Sequence, residues 1–539
     1  MKSSQPTAST HMSSQISALN SDSDLLGDPI FSLYLEGESS NSSLPEILAI
    51  LGKGQSLEFA ALRPHQSHAW HAFLVQLGAL AVSRTGDSDL GRPPSDWRDA
   101  LLDLVGEAGE DAWRLVVEDT TKPAFMQVGI PAGEWGRYKS AAETPDDLDL
   151  LVTAKSHDVK QHLMVAAQAE HWVYALVSLQ TFQGFSGRDN YGVARMNSGF
   201  GSRPGFAAAP ALGWAERFRR DVQVWMEERE GLLGQGYKYA DRGHALLWAL
   251  DWDGAESRLP LSTCDPFFIE VCRRVRLRHE GSRLVAWTAP SKKAFLDAKD
   301  RLGDTGDIWT PVKSTGETTA ALTVSPDGLT YRRLADVLFG RDWSRQPALR
   351  VRVDDGSAPV LVAQVLARGQ GRTEGYHERR IPLSGKSAGW LRMPENRELL
   401  GNLSQHRVDR VGDVQKRVLK PALCALLQGG PDELELRDSR PLRWLDRFDR
   451  EVDAIFFDDL WSGFERSLTE PKQADRAWEV RLYDLARAQL EDAMRSAAVP
   501  EARDFRSVAA AELLFEGSAR KVLEKKFAPT QPTEGHADE

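Results

Sequence analysis

The stretch Lys472–Ala497, KQADRAWEVRLYDLARAQLEDAMRSA, places Leu482, Leu485, Ala486, Leu490 and Ala493 at the spacing of a helix that buries one stripe. Three more stretches share this texture: Glu395 to Leu426, Pro441 to Leu468 and Glu501 to Lys526. About four such helices in succession predict an antiparallel bundle over residues 387–527. Upstream the texture is different. Ser43 to Val82 reads as two packing helices, the first with Ser43 as N-cap and Pro45 in its first turn. A third helix is predicted over Ser95 to Gly109, a long apolar one over His162 to Phe182, and others over Trp214 to Glu230 and Tyr331 to Leu338. Between them, FIEVCRRVRLR alternates as a strand with one polar face, and Pro359 to Ala367 reads as a further strand. The expected fold class is α+β: a large mixed α/β N-terminal domain over 25–386, then the four-helix bundle. Residues 1–24 read as a disordered leader and 528–539 as a polar tail.

Composition narrows the function classes. The chain has 539 residues, 67 Lys+Arg against 78 Asp+Glu and a net charge of −11, so it lacks the basic excess of a free-standing nucleic-acid binder. Cys264, Cys272 and Cys424 are too few and too scattered for a disulfide framework or a cysteine-rich zinc site. A reducing cytoplasm fits best. No secretory signal is legible, and no apolar run is long enough for a membrane span.

His65, His68 and His71 recur every three residues, but steps of three on a helix drift off one face and no Glu completes H-E-x-x-H. They are read as partly exposed polar positions, and neither metal nor other cofactor is expected. No nucleophile motif occurs, so catalysis has no positive signal. Gly369 to Gly375, GQGRTEG, follows an apolar strand yet precedes YHERRIPL, which cannot continue as a helix; a hairpin tip is the better reading than a phosphate loop. Arg368, Gln370 and Arg372 on such a tip could meet bases and phosphates, or simply solvent. The segment Gln183–Gly205 combines six glycines with Arg188, Asn190, Arg195, Asn197 and Arg203, donors suited to phosphate or carboxylate, with structural turns an equal reading. Lys155–Gln161, KSHDVKQ, is a short polar link between apolar runs.

Several of these stretches, taken in order, resemble one family. They are FMQ at Phe125 to Gln127, KSHDVK, the run W..ALVSLQTF from Trp172, GRDNYGVARMNSGFGSRPG, CDPFFIEVCRRVRL and GQGRTEGYHERR. The order is that of the CasA family, the large subunit of the type I-E CRISPR surveillance complex, Cascade. The resemblance implies a non-catalytic subunit that recognises the PAM in duplex DNA, promotes strand separation and R-loop initiation, and helps recruit a helicase-nuclease for antiviral defence. Its implied partners are other Cascade subunits, crRNA, double-stranded target DNA and the helicase-nuclease, with no membrane. The family's wedge hairpin matches Gly369, Gln370, Gly371, Arg372 and Thr373. Its crRNA and PAM loop matches Lys155, Ser156, His157, Asp158, Val159, Lys160 and Gln161. Lys299 is matched to the lysine finger, with Lys292 and Lys293 as competitors. The chain departs from some relatives in lacking a glycine near Glu170 to Trp172 and a cysteine cluster in its middle region. A phosphate-handling enzyme using the Gly-rich loops, or a pure assembly scaffold, stand as alternatives.

Overall fold

The computed structural model describes residues 23–150, 164, 166–210, 213–234, 236–255, 258–369, 372–430, 434–497 and 504–523. The chain divides into two compact units. The first comprises residues 1–329 and 342–388, the second residues 330–341 and 389–539.

The first unit combines helices with small sheets, most of them antiparallel and two of them two-stranded parallel pairs, an α+β arrangement. Its central helix, Pro64–Thr85, buries sixteen successive and near-successive residues from Gln66 to Val82, so apolar residues on all its faces are needed. Leu44–Gly52 starts as the sequence predicts: the Glu46 carboxylate accepts from the Ser43 amide at 2.7 Å, a capping box. The helix expected from His162 begins only at Ala169 among the described residues. Just upstream, the Met164 amide donates to Asp146 at 2.7 Å rather than to a helical carbonyl. Trp214–Gly234 falls where the pattern puts a helix, as does Tyr331–Phe339, which belongs to the second unit.

The strand expected in FIEVCRRVRLR is Arg274–Glu280, paired with Arg283–Ala289. Its polar face, however, meets solvent only at Arg278 and Glu280; Arg274 and Arg276 are buried. Arg276 is fully buried and its guanidinium donates to the carbonyls of Lys122 and Val117, both at 2.8 Å. Arg276 is internal wiring for loop carbonyls that no ladder satisfies, while Arg278, two residues on, is exposed and lies over the Trp135 ring.

The second unit is helical. Pro394–Asp413, the π-turn Val414–Leu419 and Lys420–Gln428 run on as one bent rod, followed by Leu442–Ser467, Pro471–Ser496 and Asp504–Val522. The π-turn has an evident cause in Pro421, which lacks an N–H and whose ring would meet the carbonyl four residues back in a regular helix. Of the stripe the sequence indicates, Leu482, Ala486, Leu490 and Ala493 are fully buried and Leu485 is half-buried, and Ala474 and Trp478 extend the buried stripe toward the helix start. No helix among the described residues is long and apolar enough to cross a membrane.

Candidate nucleic-acid interface

A long hairpin dominates one sheet of the first unit. Val360–Gly369 and Arg372–Pro382 pair antiparallel with Gly369 opposite Arg372, and Gly205–Ala209 forms the third strand. The segment Gly369–Gly375 is thus the tip of a hairpin, not a helix-opening phosphate loop. Thr373 pairs with Arg368 and Gly375 with Ala367, so Glu374 is the extra residue of a bulge, a device that twists and re-aims a strand end. Gln370 and Gly371 lie outside the described residues, as does all of Lys155–Gln161.

Below the tip the strands are held by polar wiring. Gln364 donates to the Tyr376 hydroxyl at 2.8 Å and to Glu378 at 3.0 Å, and the Tyr376 hydroxyl donates to Glu378 at 2.7 Å. Arg368 does not project from the tip as the sequence allowed. It is buried, donates to the Gln183 side chain and the Asp149 carbonyl, both at 2.7 Å, and burial pulls its guanidinium down to about 10. Its charge ties the tip end of the hairpin to the Gln183 and Asp149 segments and is not available to a phosphate.

The glycine-rich segment splits in two. Arg188 and Asn190 are exposed, and Asn197 is half-buried. Arg195 and Arg203 are internal: Arg195 donates to Glu270 at 3.0 Å and lies over the Phe268 ring, while Arg203 makes a two-pronged contact with Asp307, each prong 2.5 Å. Burial works to raise the Asp307 carboxyl, but the Arg203 guanidinium outweighs it and holds the acid below its ordinary value. The glycines serve close packing. A Cβ on Gly201 would come within 2.6 Å of the Leu366 carbonyl of the hairpin, at a φ of +98°.

Lys299 is exposed and opens the short turn Lys299–Arg301. It shares a cleft of about 430 Å³ with Lys293 and with Tyr191 to Met196 of the glycine-rich segment. The structure therefore brings Lys299 and the glycine-rich segment together. Sequence reasoning missed the remaining walls of this cleft, Glu270, Cys272 and Phe295 among them, because nothing in their spacing marks them as neighbours of Lys299.

The three histidines go separate ways. His65 bonds to Asp149 at 2.8 Å and His71 to Asp221 at 2.9 Å, while His68 lies between Phe182 and Trp309. His68 and His71 are buried, not partly exposed, because the helix that carries them is enclosed on every side. Among the described residues no group of three or more His, Cys, Asp or Glu could hold a metal ion. Glu170 is buried and accepts from the Ser32 amide and hydroxyl at 2.9 and 2.8 Å.

The chain has the fold of the CRISPR-associated CasA and Cse1 proteins. Cse1 from Acidimicrobium ferrooxidans superposes with a TM-score of 0.60 at 15% identity, covering 93% of this chain and 98% of its own. CasA from Thermus thermophilus does so at 0.59 and 16%, covering 92% and 99%. Cse1 from Thermobifida fusca follows at 0.59 and 14%, covering 93% and 98%. No protein-family model and no curated protein sequence matches the chain.

Proposed function

We propose that this chain is the large, non-catalytic subunit of a type I-E Cascade, in which it reads the PAM of duplex DNA, starts strand separation and helps bring in the helicase-nuclease. The observation that carries this reading is the shared fold over more than nine-tenths of the chain with proteins described as CRISPR-associated. The hairpin supports it independently. Two antiparallel strands joined by two residues make a narrow, rigidly based wedge, and such a wedge can enter between base pairs at the cost of unstacking them. Guide pairing would then read the target while protein reads a short duplex signal. In this reading Gln370, Arg372 and Thr373 contact the PAM-proximal pair, Lys155–Gln161 meets crRNA, and Lys299 reaches toward the minor groove.

The test is reconstitution with guide RNA and the partner subunits. Alanine at Gln370, Arg372 and Thr373 together should weaken PAM-dependent target binding by tenfold or more, about 1.4 kcal/mol, and abolish strand opening measured by permanganate reactivity. Wild-type opening in that variant would remove the wedge assignment. A complex lacking the chain that still discriminated PAMs would leave only a scaffold role.

A further inference from the structure

The cleft between the glycine-rich segment and the Lys293–Lys299 stretch has a graded lining that points to a ligand. Its inner wall is apolar: Met196 and Phe295 are buried there, beside Cys272, whose thiol burial pushes up and whose Sγ donates to the Leu179 carbonyl at 3.2 Å. A neutral, occupied thiol makes this wall inert rather than reactive. Further out stand two half-buried aromatic rings, Phe185 and Tyr191, with centroids 6.4 Å apart. Lys299 is exposed at the rim and Lys293 half-exposed; Arg258, also on the lining, pairs with Asp297 at 2.5 Å. The volume, about 430 Å³, lies within the range of roughly 300–1,000 Å³ typical of small-ligand sites.

One polar group sits deep in the lining. The Glu270 carboxylate, 2% exposed, accepts from Arg195 with one oxygen at 3.0 Å and from the Ala194 amide with the other at 2.7 Å. A carboxylate offers about four lone-pair sites, so acceptor capacity remains on each oxygen. Apolar depth, aromatic faces, a buried acceptor and a cationic rim are complementary, in that order, to a planar ring, its amino hydrogens and a phosphate.

We propose that this cleft holds one unpaired nucleotide, its base lodged against Phe185, Tyr191 and the apolar wall and its phosphate at Lys293 and Lys299. Glu270 accepts from an exocyclic amine and so selects cytosine over thymine. The proposal rests on the nucleic-acid role argued above and deepens it, locating where a base freed from a duplex or a guide would be held.

Titration of the purified full chain with dCMP, followed by calorimetry or by changes in tryptophan fluorescence, tests it. Saturable binding is expected, severalfold weaker for dTMP, and not displaced by inorganic phosphate. The tetranucleotide dCdTdTdT should bind at least as well as dCMP, since a strand enters by one end; its exclusion would overturn a strand-borne ligand. Met196→Trp, which fills the cleft, should weaken dCMP binding by about tenfold or more. If that variant fails to fold, Lys293→Ala with Lys299→Ala, both outside the core, should still weaken it severalfold at unchanged melting temperature. No saturable dCMP binding, or equal binding of phosphate alone, would overturn the proposal. Because the wedge variants leave Lys293 and Lys299 intact and are assayed separately on duplex DNA, loss of the cleft proposal leaves the reading of Gln370, Arg372 and Thr373 as the wedge standing, and the reverse also holds.

Discussion

His68 shows what a single residue reveals once its surroundings are known. A Cβ on Gly205 would stand 1.7 Å from its Nε2, Phe182 and Trp309 meet its ring edge-on, and neither ring nitrogen has a protein partner among the described residues. Burial, followed by repulsion from Arg203, His71 and Arg217, holds its pKa well below the ordinary 6.5. The unfolded chain therefore takes up the proton first, so the stability this site lends is whole above about pH 6.5 and falls as pH drops toward the folded value. His68→Leu, similar in volume and without a proton, should lose less stability than wild type between pH 7 and pH 5 in denaturant titrations. The difference cannot exceed about 2 kcal/mol over that window; identical pH slopes would show that His68 is not a buried neutral imidazole. Spacing alone misjudged this residue because it records position along a helix, not what encloses it. The same limit applies to Arg195 and Arg203. Their capacity for two-pronged contacts was legible, but Asp307 lies 104 residues from Arg203 and Glu270 lies 75 from Arg195, and no local pattern joins them.

At the scale of elements the local chemistry spoke more clearly. The bundle helices, the Ser43 cap and the hairpin were legible because each rests on neighbours within a turn or two of the chain. The late start of the Ala169 helix was not, since it depends on Asp146 capturing the Met164 amide across a tertiary contact. The glycine-rich segment was read for its freedom, and the structure uses it for proximity. Ser202 donates its amide to the Leu366 carbonyl at 2.8 Å and its hydroxyl accepts from the Leu366 amide at 2.8 Å, a seam that Gly201 makes possible by leaving no Cβ. Gly201→Ala should therefore cost about 1–3 kcal/mol, with faster amide exchange in Val360–Gly369 and not in the helical unit. An unchanged melting temperature would mean that the tip end of the hairpin is held by Arg368 and its two acceptors alone.

Across the whole molecule, net charge was a poor guide until burial sorted it. Buried arginines and buried carboxylates are nearly balanced among the described residues, some as mutual partners such as Arg203–Asp307, Arg407–Asp459 and Arg220–Asp355. The acidic excess is therefore a surface property, and it opposes a polyanion. What positive surface the chain offers is local, at Arg188, Lys293 and Lys299 for example. A few phosphate contacts on an acidic body predict weak DNA affinity for the isolated chain, and a shallow dependence of log K on log salt, since the slope counts phosphates neutralised. In a reconstituted complex, basic neighbours would supply the remaining contacts and the slope should steepen. Fluorescence anisotropy of a labelled PAM duplex, run over a salt series with the chain alone and with the complex, separates the cases. Tight binding by the free chain, or equal slopes for the two, would mean that the chain carries the phosphate contacts itself, and the division of labour argued here would fail.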